Sequence, residues 1–284
     1  MEAALSLVAD IELELSRLRG AEMADGTPEL RTSVMTHIVW APPRWAGAAR
    51  ETLHALEERH PSRTILLFPE PRRRRDCIEW TVSMRCFSLA GLSHEVCSEV
   101  IELRLCGART EAPASIVHPL LISDLPTFCR WRGEPAWGTP ELDQLTGVCD
   151  RLVVDSSEWR GLPGDYERLI ELFDRIAVSD IAWGRAREWR GRLAELWPAI
   201  AEVEEVAVTG PKADALLLAG WLRSRLGREI ALRHRSAGEL TRVAVDAEPV
   251  PAPRGGALSP SDLLSDELDV FTRDPIYEAA VRAA

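Results

Sequence analysis

Two apolar segments joined by one helical segment constrain the fold of this chain most. Residues 31–43, RTSVMTHIVWAPP, and residues 62–71, SRTILLFPEP, have the apolar and β-branched composition of buried strands. The segment between them, RWAGAARETLHALEERH, predicts a helix. Parallel strands need a crossover of about a dozen residues, usually a helix, and this segment is long enough to supply one. The pattern therefore predicts a βαβ unit and a fold of the α/β class.

An antiparallel hairpin is predicted directly after this unit, at residues 77–106. Apolar and polar residues alternate on both sides of Gly91, as they do in strands that bury one face. The run of four arginines at 72–75 precedes the first strand and is interpreted as a solvated turn. The chain thus combines parallel and antiparallel pairing.

Four of the six cysteines lie in this hairpin and form two facing couples. With the turn centred between Gly91 and Leu92, these couples are Cys86 with Cys97 and Cys77 with Cys106. The cysteines of each strand are separated by an odd number of positions, so the couples project from opposite faces of the sheet. Four thiols on two faces cannot form a single tetrahedral zinc site. We predict Cys86 and Cys97 as a candidate redox pair, with ordinary structural thiols as the alternative that a reducing cytosol favours.

The rest of the chain continues the mixture of strands and helices. Among other elements, we predict a helix at 112–121 and one long helix for SDIAWGRAREWRGRLAELW, residues 179–197, capped by Ser179 or Asp180. The predicted fold class is α/β, with mixed parallel and antiparallel sheets and helices packed on them in two α/β lobes. The predicted segments are an N-terminal helix and linker at 1–28, an N-terminal lobe at 29–158, and a helix-rich C-terminal lobe with closing helices at 159–284.

Composition and missing motifs exclude several classes of function. The net charge of -11 repels a phosphate backbone, so we predict no nucleic-acid partner. Acidic residues interrupt the apolar N-terminus and no segment has the length of a membrane helix, which predicts a cytoplasmic protein without membrane contact. The sequence has no phosphate-binding glycine motif, no GxSxG elbow and no metal-ligand spacing among its His and Cys residues. We therefore predict no catalytic residues, no metal and no cofactor.

One strand-to-helix turn keeps an enzymatic alternative open. In TGPKADA, residues 209–212 precede a helix whose N-terminal N–H groups and dipole could hold an anion. Together with Asp124, this turn predicts the alternative function of a small-molecule transferase or nucleotide-binding α/β domain. The turn lacks the spacing of known phosphate-binding loops, so a simple helix start with Pro211 near its first turn is the competing interpretation.

Tryptophan and arginine are concentrated in two predicted helices. The chain has 10 Trp against 2 Tyr, and Trp183 and Trp189 share the helix that begins near Asp180 with Arg187. Trp221 lies on the following long helix. Trp and Arg are the preferred anchors of protein interfaces, which predicts a partner-binding surface. The alternative is that the tryptophans form the core and the arginines a solvated face.

Five segments of the chain occur in the order and spacing of one known family. They are HPSRTILLF, VHPLLISDLPTFCRWRGEP, DIAWGRAREWRGRL, LLLAGWLRSRLG and DPIYEAAV. In this order they resemble the glucose-6-phosphate dehydrogenase assembly protein family, OpcA. The resemblance covers most of the chain from about residue 31 to the end.

This resemblance implies a non-catalytic protein that promotes assembly or activation of glucose-6-phosphate dehydrogenase in the oxidative pentose phosphate pathway. The recurrent residues of the family fall here on Ser62, Arg63, Asp124, Pro126, Trp131, Asp180, Trp183, Trp189 and Trp221. From these, together with Arg187, the predicted partner-binding residues are Arg63, Asp124, Trp131, Asp180, Trp183, Arg187, Trp189 and Trp221.

The chain departs from the family where many relatives carry paired tryptophans. Arg130 stands before Trp131 here, which would put a charge into part of an apolar anchor if that pair contacts the partner. A structural subunit that binds the dehydrogenase without changing its turnover remains a third interpretation. Self-association of the chain also stays open.

Overall fold

The structure is a computed structural model, which describes residues 2–23, 29–30, 33–56, 59–88, 95–255 and 258–284. The chain divides into two compact units, Met1–Leu152 and Val153–Ala284. Parallel and antiparallel strands are combined with helices that pack on them, so the predicted α/β class is confirmed. Within these ranges, no helix is both long enough and apolar enough to span a membrane.

The first unit holds a long N-terminal helix, shorter helices and most of the strands of one sheet. Its helices are α1 (Glu2–Met23), α2 (Ala46–His54), α3 (Ala114–Val117) and α4 (Pro140–Thr146). Its strands are β1 (Glu29–Leu30), β2 (Met35–Trp40), β3 (Ser62–Glu70), β4 (Cys77–Ser88), β5 (Glu95–Cys106) and β6 (Thr127–Trp131). Strand β7 (Arg151–Val154) contains the point at which the chain passes into the second unit.

The predicted βαβ unit is confirmed. Strands β2 and β3 pair in parallel, with Met35 opposite Ser62, and α2 lies between them in the chain. Parallel pairing continues on both sides, with β6 next to β2 and β5 next to β3. All of β2 is buried, as is β3 up to its last residue, because parallel sheets are covered on both faces.

The predicted hairpin also forms, and in the predicted register. Strand β4 pairs antiparallel with β5, which places Cys86 opposite Cys97 and Cys77 opposite Cys106. The predicted turn at Gly91 lies outside the described residues, in the gap 89–94. Helix α1 packs against β4.

The helix predicted at 112–121 is much shorter in the structure. Only α3 is α-helical there, and 3-10 turns precede and follow it. Pro113 and Pro119 explain the difference, because a proline ring removes one backbone donor and restricts the residue before it. The segment is therefore compact without forming a regular helix.

The second unit is richer in helices and carries a second sheet. Its helices are α5 (Gly164–Ile170), α6 (Ile181–Arg185), α7 (Arg187–Ala194), α8 (Lys212–Leu226), α9 (Pro260–Leu268) and α10 (Pro275–Arg282). Its strands are β8 (Ala177–Asp180), β9 (Glu205–Gly210), β10 (Ala231–Ser236), β11 (Arg242–Val245) and β12 (Glu248–Pro249). Strand β10 pairs in parallel with β9 after the crossover helix α8, and β11 pairs antiparallel on the other side of β9.

The long helix predicted for residues 179–197 is divided into two. Residues 177–180 form strand β8, Asp180 caps α6 through its side chain, and Ala186 separates α6 from α7 with non-helical backbone angles. The break leaves carbonyl groups without helical partners, and Arg190 Nη1 donates to the carbonyl oxygen of Trp183 at 2.6 Å. The capping prediction for Asp180 is confirmed, while the single uninterrupted helix was wrong because Ala186 leaves the helical conformation and the Arg190 side chain binds the Trp183 carbonyl oxygen at the break.

Candidate partner-binding site

In the first unit, Arg63 lies at the centre of a buried ionic network. Its Nε donates to Glu99 Oε2 at 2.7 Å and its Nη1 to Glu12 Oε1 at 2.7 Å. The same Nη1 also donates to the carbonyl oxygen of Leu120 at 3.0 Å. Arg19 of α1 reaches Glu99 as well, with Nε at 2.8 Å from Oε1. Arg63 therefore fixes α1 to the sheet, and its guanidinium is not on the surface.

Trp131 and Asp124, also in the first unit, lie in different environments. Trp131 is buried and stacks on Trp40 with 5.0 Å between ring centroids. Arg130, next to it on β6, is buried and donates to the carbonyl oxygen of Trp131, so it places no charge on the outer surface. Asp124 is exposed and has a positive φ of 66°, a backbone conformation that only a few residue types adopt readily.

In the second unit, Asp180 and Trp183 are held by the C-terminal helix. Tyr277 of α10 donates from its hydroxyl to Asp180 Oδ2 at 3.3 Å. Trp183 Nε1 donates to Asp274 Oδ2 at 2.8 Å, and Asp274 also caps α10. The guanidinium of Arg190 lies over the Trp183 ring, 3.3 Å from its centroid. The structure thus brings these two predicted residues together with Tyr277, Asp274 and Arg190.

Two buried carboxylates, Asp180 and Asp214, and the half-buried Asp155 lie around Arg185 next to this network. Arg185 Nη2 is 3.1 Å from Asp155 Oδ1, while its Nη1 is 3.9 Å from Asp214 Oδ2. Burial raises the pKa of Asp214 to about 7, and the charges of Asp155 and Asp180 act in the same direction. Burial also raises the pKa of Asp180 to about 6, against the effect of hydrogen bonds from the Ser156 and Ala182 backbone.

Trp189 and Trp221 belong to the hydrophobic core of the second unit. Trp189 is buried in a cluster that also contains Leu193 of α7 and Leu222 of α8. Trp221 is half-buried and packs against the same cluster. Trp183 is buried as well. These tryptophans pack helices together in the core. They would act on a partner indirectly, by fixing the exposed residues that contact it.

Exposed side chains lie on the elements that carry or follow these buried residues. Arg187 Nη1 is 3.1 Å from Asp266 Oδ2, which joins the start of α7 to α9. Between α9 and α10, Phe271 is 63% exposed, and Ile276 in the first turn of α10 is also exposed. We call the region formed by Arg187, Asp266, Phe271 and Ile276 the α9–α10 surface. Sequence reasoning included only Arg187 of these four, although the segment DPIYEAAV pointed to the same end of the chain.

The turn proposed as an anion site in the enzymatic alternative is occupied by internal contacts. The ammonium group of Lys212 donates to the carbonyl oxygen of Leu162. Gly210 lies against Leu240, where an added Cβ would be 2.9 Å from the Leu240 Cα. The lysine at this turn is thus engaged within the second unit.

The four cysteines of the hairpin form two cross-strand couples. Cys86 and Cys97 form a disulfide with 4.0 Å between Cα atoms, close to the spacing of a non-hydrogen-bonded pair. Cys77 and Cys106 are free thiols on the opposite face, and a hydrogen bond to Cys106 raises the pKa of Cys77. Sequence reasoning missed that Glu79 joins them, although Glu79 is two residues from Cys77 and therefore on the same face.

Comparison with known proteins identifies relatives of both units. Residues 53–171 match the family model described as glucose-6-phosphate dehydrogenase subunit N-terminal domain, and residues 176–257 match the corresponding C-terminal domain. The chain is 29% identical over 198 residues to a protein named for the OxPP cycle, OpcA, of Nostoc punctiforme, covering 65% of this chain and 42% of that protein. The OpcA protein of Synechococcus elongatus is 28% identical over 185 residues, covering 61% of this chain and 41% of the relative. The chain therefore aligns with less than half the length of these relatives.

Proposed function

This chain belongs to the OpcA family of glucose-6-phosphate dehydrogenase assembly proteins, and on that premise we propose that it promotes assembly and activation of glucose-6-phosphate dehydrogenase. The observation that carries the proposal is the consecutive match of both family models, which together span nearly all of residues 53–257. A non-catalytic role, action in the oxidative pentose phosphate cycle and a cytoplasmic location are parts of this proposal.

We propose the α9–α10 surface as the contact with the dehydrogenase. Phe271 and Ile276 offer exposed apolar area, and the ion pair of Arg187 with Asp266 joins α7 to α9, the helix that precedes Phe271 in the chain. Aromatic residues and arginine are favoured at the centres of interfaces. The hydrogen bond from Trp183 to Asp274, the cap residue of α10, fixes the start of the helix that carries Ile276, which lowers the entropy lost on binding.

Activation then requires only a difference in affinity. A protein that binds the active oligomer of the dehydrogenase more tightly than its inactive forms shifts the population toward the active oligomer. No reactive side chain is needed for this effect. The buried positions of Trp183 and Trp189 fit a well-packed second unit that presents a fixed surface.

The test is to add the purified chain to its cognate dehydrogenase and to measure both the rate and the molecular mass. An increase in rate together with a heavier complex supports the proposal. A heavier complex with an unchanged rate supports the structural-subunit interpretation instead. No change in either quantity contradicts the proposed function. The mass of the chain alone, measured in the same experiment, reports self-association.

Surface variants test where the dehydrogenase binds. Phe271→Ser and Arg187→Glu should each weaken binding by about tenfold or more, because changing a hot-spot residue weakens binding by about 2 kcal/mol or more and about 1.4 kcal/mol is a factor of ten. Leu13→Ser is the matched control, since Leu13 is an exposed apolar residue of the first unit. If Leu13→Ser weakens binding as much as Phe271→Ser does, the α9–α10 surface is not the contact. Titration calorimetry with nucleotides and sugar phosphates tests the enzymatic alternative.

A further inference from the structure

Three metal-binding groups meet where the hairpin begins and ends. Cys77 is the first residue of β4 and Cys106 is the last residue of β5, and the two are direct cross-strand neighbours. Glu79 projects from the same face two residues further along β4. Both sulfur atoms and one carboxylate oxygen of Glu79 lie within 4.8 Å of one another.

A cationic nitrogen already lies among these three groups. Arg73 Nη1 is 2.7 Å from Glu79 Oε1, 3.3 Å from Cys106 Sγ and 3.9 Å from Cys77 Sγ. The two sulfurs and the oxygen therefore surround one point that favours positive charge. Arg73 is exposed, and its long flexible side chain can move its guanidinium away from the two sulfurs and Glu79.

The backbone around these groups is fixed independently of Arg73. Asp76 Oδ1 accepts a hydrogen bond from the backbone N–H of Ala108 at 2.9 Å, which links the start of β4 to the end of β5. Gly107, between them, has a φ of +59°, and a Cβ there would be 2.2 Å from Asp76 Oδ1. Only glycine fits this position. The spacing of Cys77 and Cys106 is thus set by the fold.

The surrounding charges offer Arg73 another partner when it leaves. Arg73 Nε is 3.4 Å from Glu70 Oε2, and Arg104 bridges Glu70 and Glu79 at 3.2 Å and 3.1 Å. The guanidinium of Arg73 can therefore remain paired with Glu70 while another cation takes its place. Cys77 is half-buried, Cys106 is buried and Glu79 is exposed, so the point is open to solvent on the Glu79 side.

We propose that Cys77, Cys106 and Glu79 form a binding site for a thiophilic divalent cation, of which Zn²⁺ is the representative, with Arg73 as the group that the metal displaces. Two thiolates and one carboxylate are ligands that Zn²⁺ accepts at about 2.3 Å and 2.0–2.2 Å, and a water molecule completes a tetrahedral set. Each thiol releases its proton to solvent as its sulfur binds the metal. This site is independent of dehydrogenase binding.

The experiment titrates the full chain, reduced and freed of metal, with Zn²⁺ against a coloured chelator and with Cd²⁺ in the ultraviolet. We expect one equivalent of tight binding and a thiolate-to-metal charge-transfer band. Cys77→Ser and Cys106→Ser should each remove the band and weaken binding by at least about tenfold. Cys149→Ser, which changes a free thiol outside the hairpin, is the control and should leave both readouts unchanged.

Arg73→Ala separates this proposal from a purely structural role of the arginine. Because the competing cation is removed, Arg73→Ala should bind Zn²⁺ about tenfold more tightly, whereas Arg75→Ala in the same arginine run should not. Wild-type binding without a charge-transfer band indicates an adventitious ion only and overturns the proposal. The proposal is also overturned if Arg73→Ala binds Zn²⁺ more weakly than the wild type. It is overturned likewise if the charge-transfer band persists in both Cys77→Ser and Cys106→Ser.

Discussion

Tyr277 donates a hydrogen bond to Asp180 although 97 positions separate them in the sequence. Asp180 caps α6 and Tyr277 lies on α10, so this one contact ties the C-terminal helix to the helix that carries Trp183. Both residues are buried. The order of the α9–α10 surface therefore depends on a polar contact in the core of the second unit.

We predict that Tyr277→Phe lowers the free energy of unfolding by about 1–2 kcal/mol. The substitution leaves Asp180 Oδ2 without this buried donor, and an unsatisfied buried group is destabilising by about that amount. Tyr166→Phe is the comparison, because the hydroxyl of Tyr166 bonds to a neutral group, the hydroxyl of Ser156, at 3.2 Å. Urea denaturation measures both. An effect of Tyr166→Phe larger than that of Tyr277→Phe would contradict the importance assigned to the Asp180 contact.

The raised pKa of Asp214 predicts that the free energy of unfolding falls as pH rises. Its pKa in the folded chain is about 7, above the ordinary value of 3.8, so the folded state binds this proton more tightly than the unfolded state. The stabilisation is complete below about pH 4 and is lost as pH rises through about 7. We expect the loss to be on the order of 4 kcal/mol, because each pKa unit corresponds to about 1.4 kcal/mol. Asp180, with a pKa of about 6, acts in the same direction at lower pH.

Asp214→Asn isolates this effect, because the amide imitates the neutral acid. The variant should lose less stability than the wild type between pH 5 and pH 8, as measured by urea midpoints across about that range. Asp10→Asn, on the exposed side of α1, should leave the wild-type profile in place. A profile of Asp214→Asn that is as steep as that of the wild type would show that another group is responsible.

Two helical glycines should respond in opposite directions to alanine. At Gly220 of α8, an added Cβ would be 2.1 Å from the carbonyl oxygen of Ala280, so α10 must move away. We expect Gly220→Ala to lower stability by about 1–3 kcal/mol. Gly191 of α7 has no atom within 4 Å of the same position among the described residues. Gly191→Ala should therefore raise stability by about 0.5–1 kcal/mol, and thermal unfolding distinguishes the two outcomes.

Arg63→Ala should be among the most destabilising single changes in the first unit. It leaves the buried carboxylate of Glu99 with one of its two arginine partners, and breaking a buried ion pair is destabilising by about 3–5 kcal/mol. Arg17→Ala, which removes an exposed ion pair with Glu14, is the control and should leave stability almost unchanged, because solvent screens exposed pairs. Circular dichroism during urea unfolding measures both. Equal effects would mean that the Arg63 network does not hold α1.

The Cys86–Cys97 disulfide predicts a defined thiol count. The chain denatured without reductant should expose four thiols, and six after reduction. Reduction should lower the free energy of unfolding by about 3 kcal/mol, because the bond closes a loop of about ten residues in the unfolded chain. Cys86→Ser should be as stable as the reduced wild type. Six thiols without reductant would remove the pair as a redox element.

Local patterns in the sequence were sufficient for much of the fold. The βαβ unit followed from apolar runs at 35–40 and 62–70, and the cysteine couples followed from strand alternation and one assumed turn. Both depend on periodicity within a strand, which is a local property. The ends of the helix near residue 116 and the break at Ala186 were missed, because prolines and a side-chain contact from Arg190 to the backbone override helix propensity there.

The family could be identified from the sequence alone, since five short segments in order retain it. The role of each candidate residue could not be predicted from the sequence alone. Sequence shows that Trp183, Trp189 and Arg63 are there, but only the tertiary structure shows that all three are buried and that Phe271 is exposed. Burial and contact depend on segments that are distant in the chain, such as Tyr277 against Asp180. The tertiary structure therefore determined which residues support the surface and which can meet a partner or a metal ion.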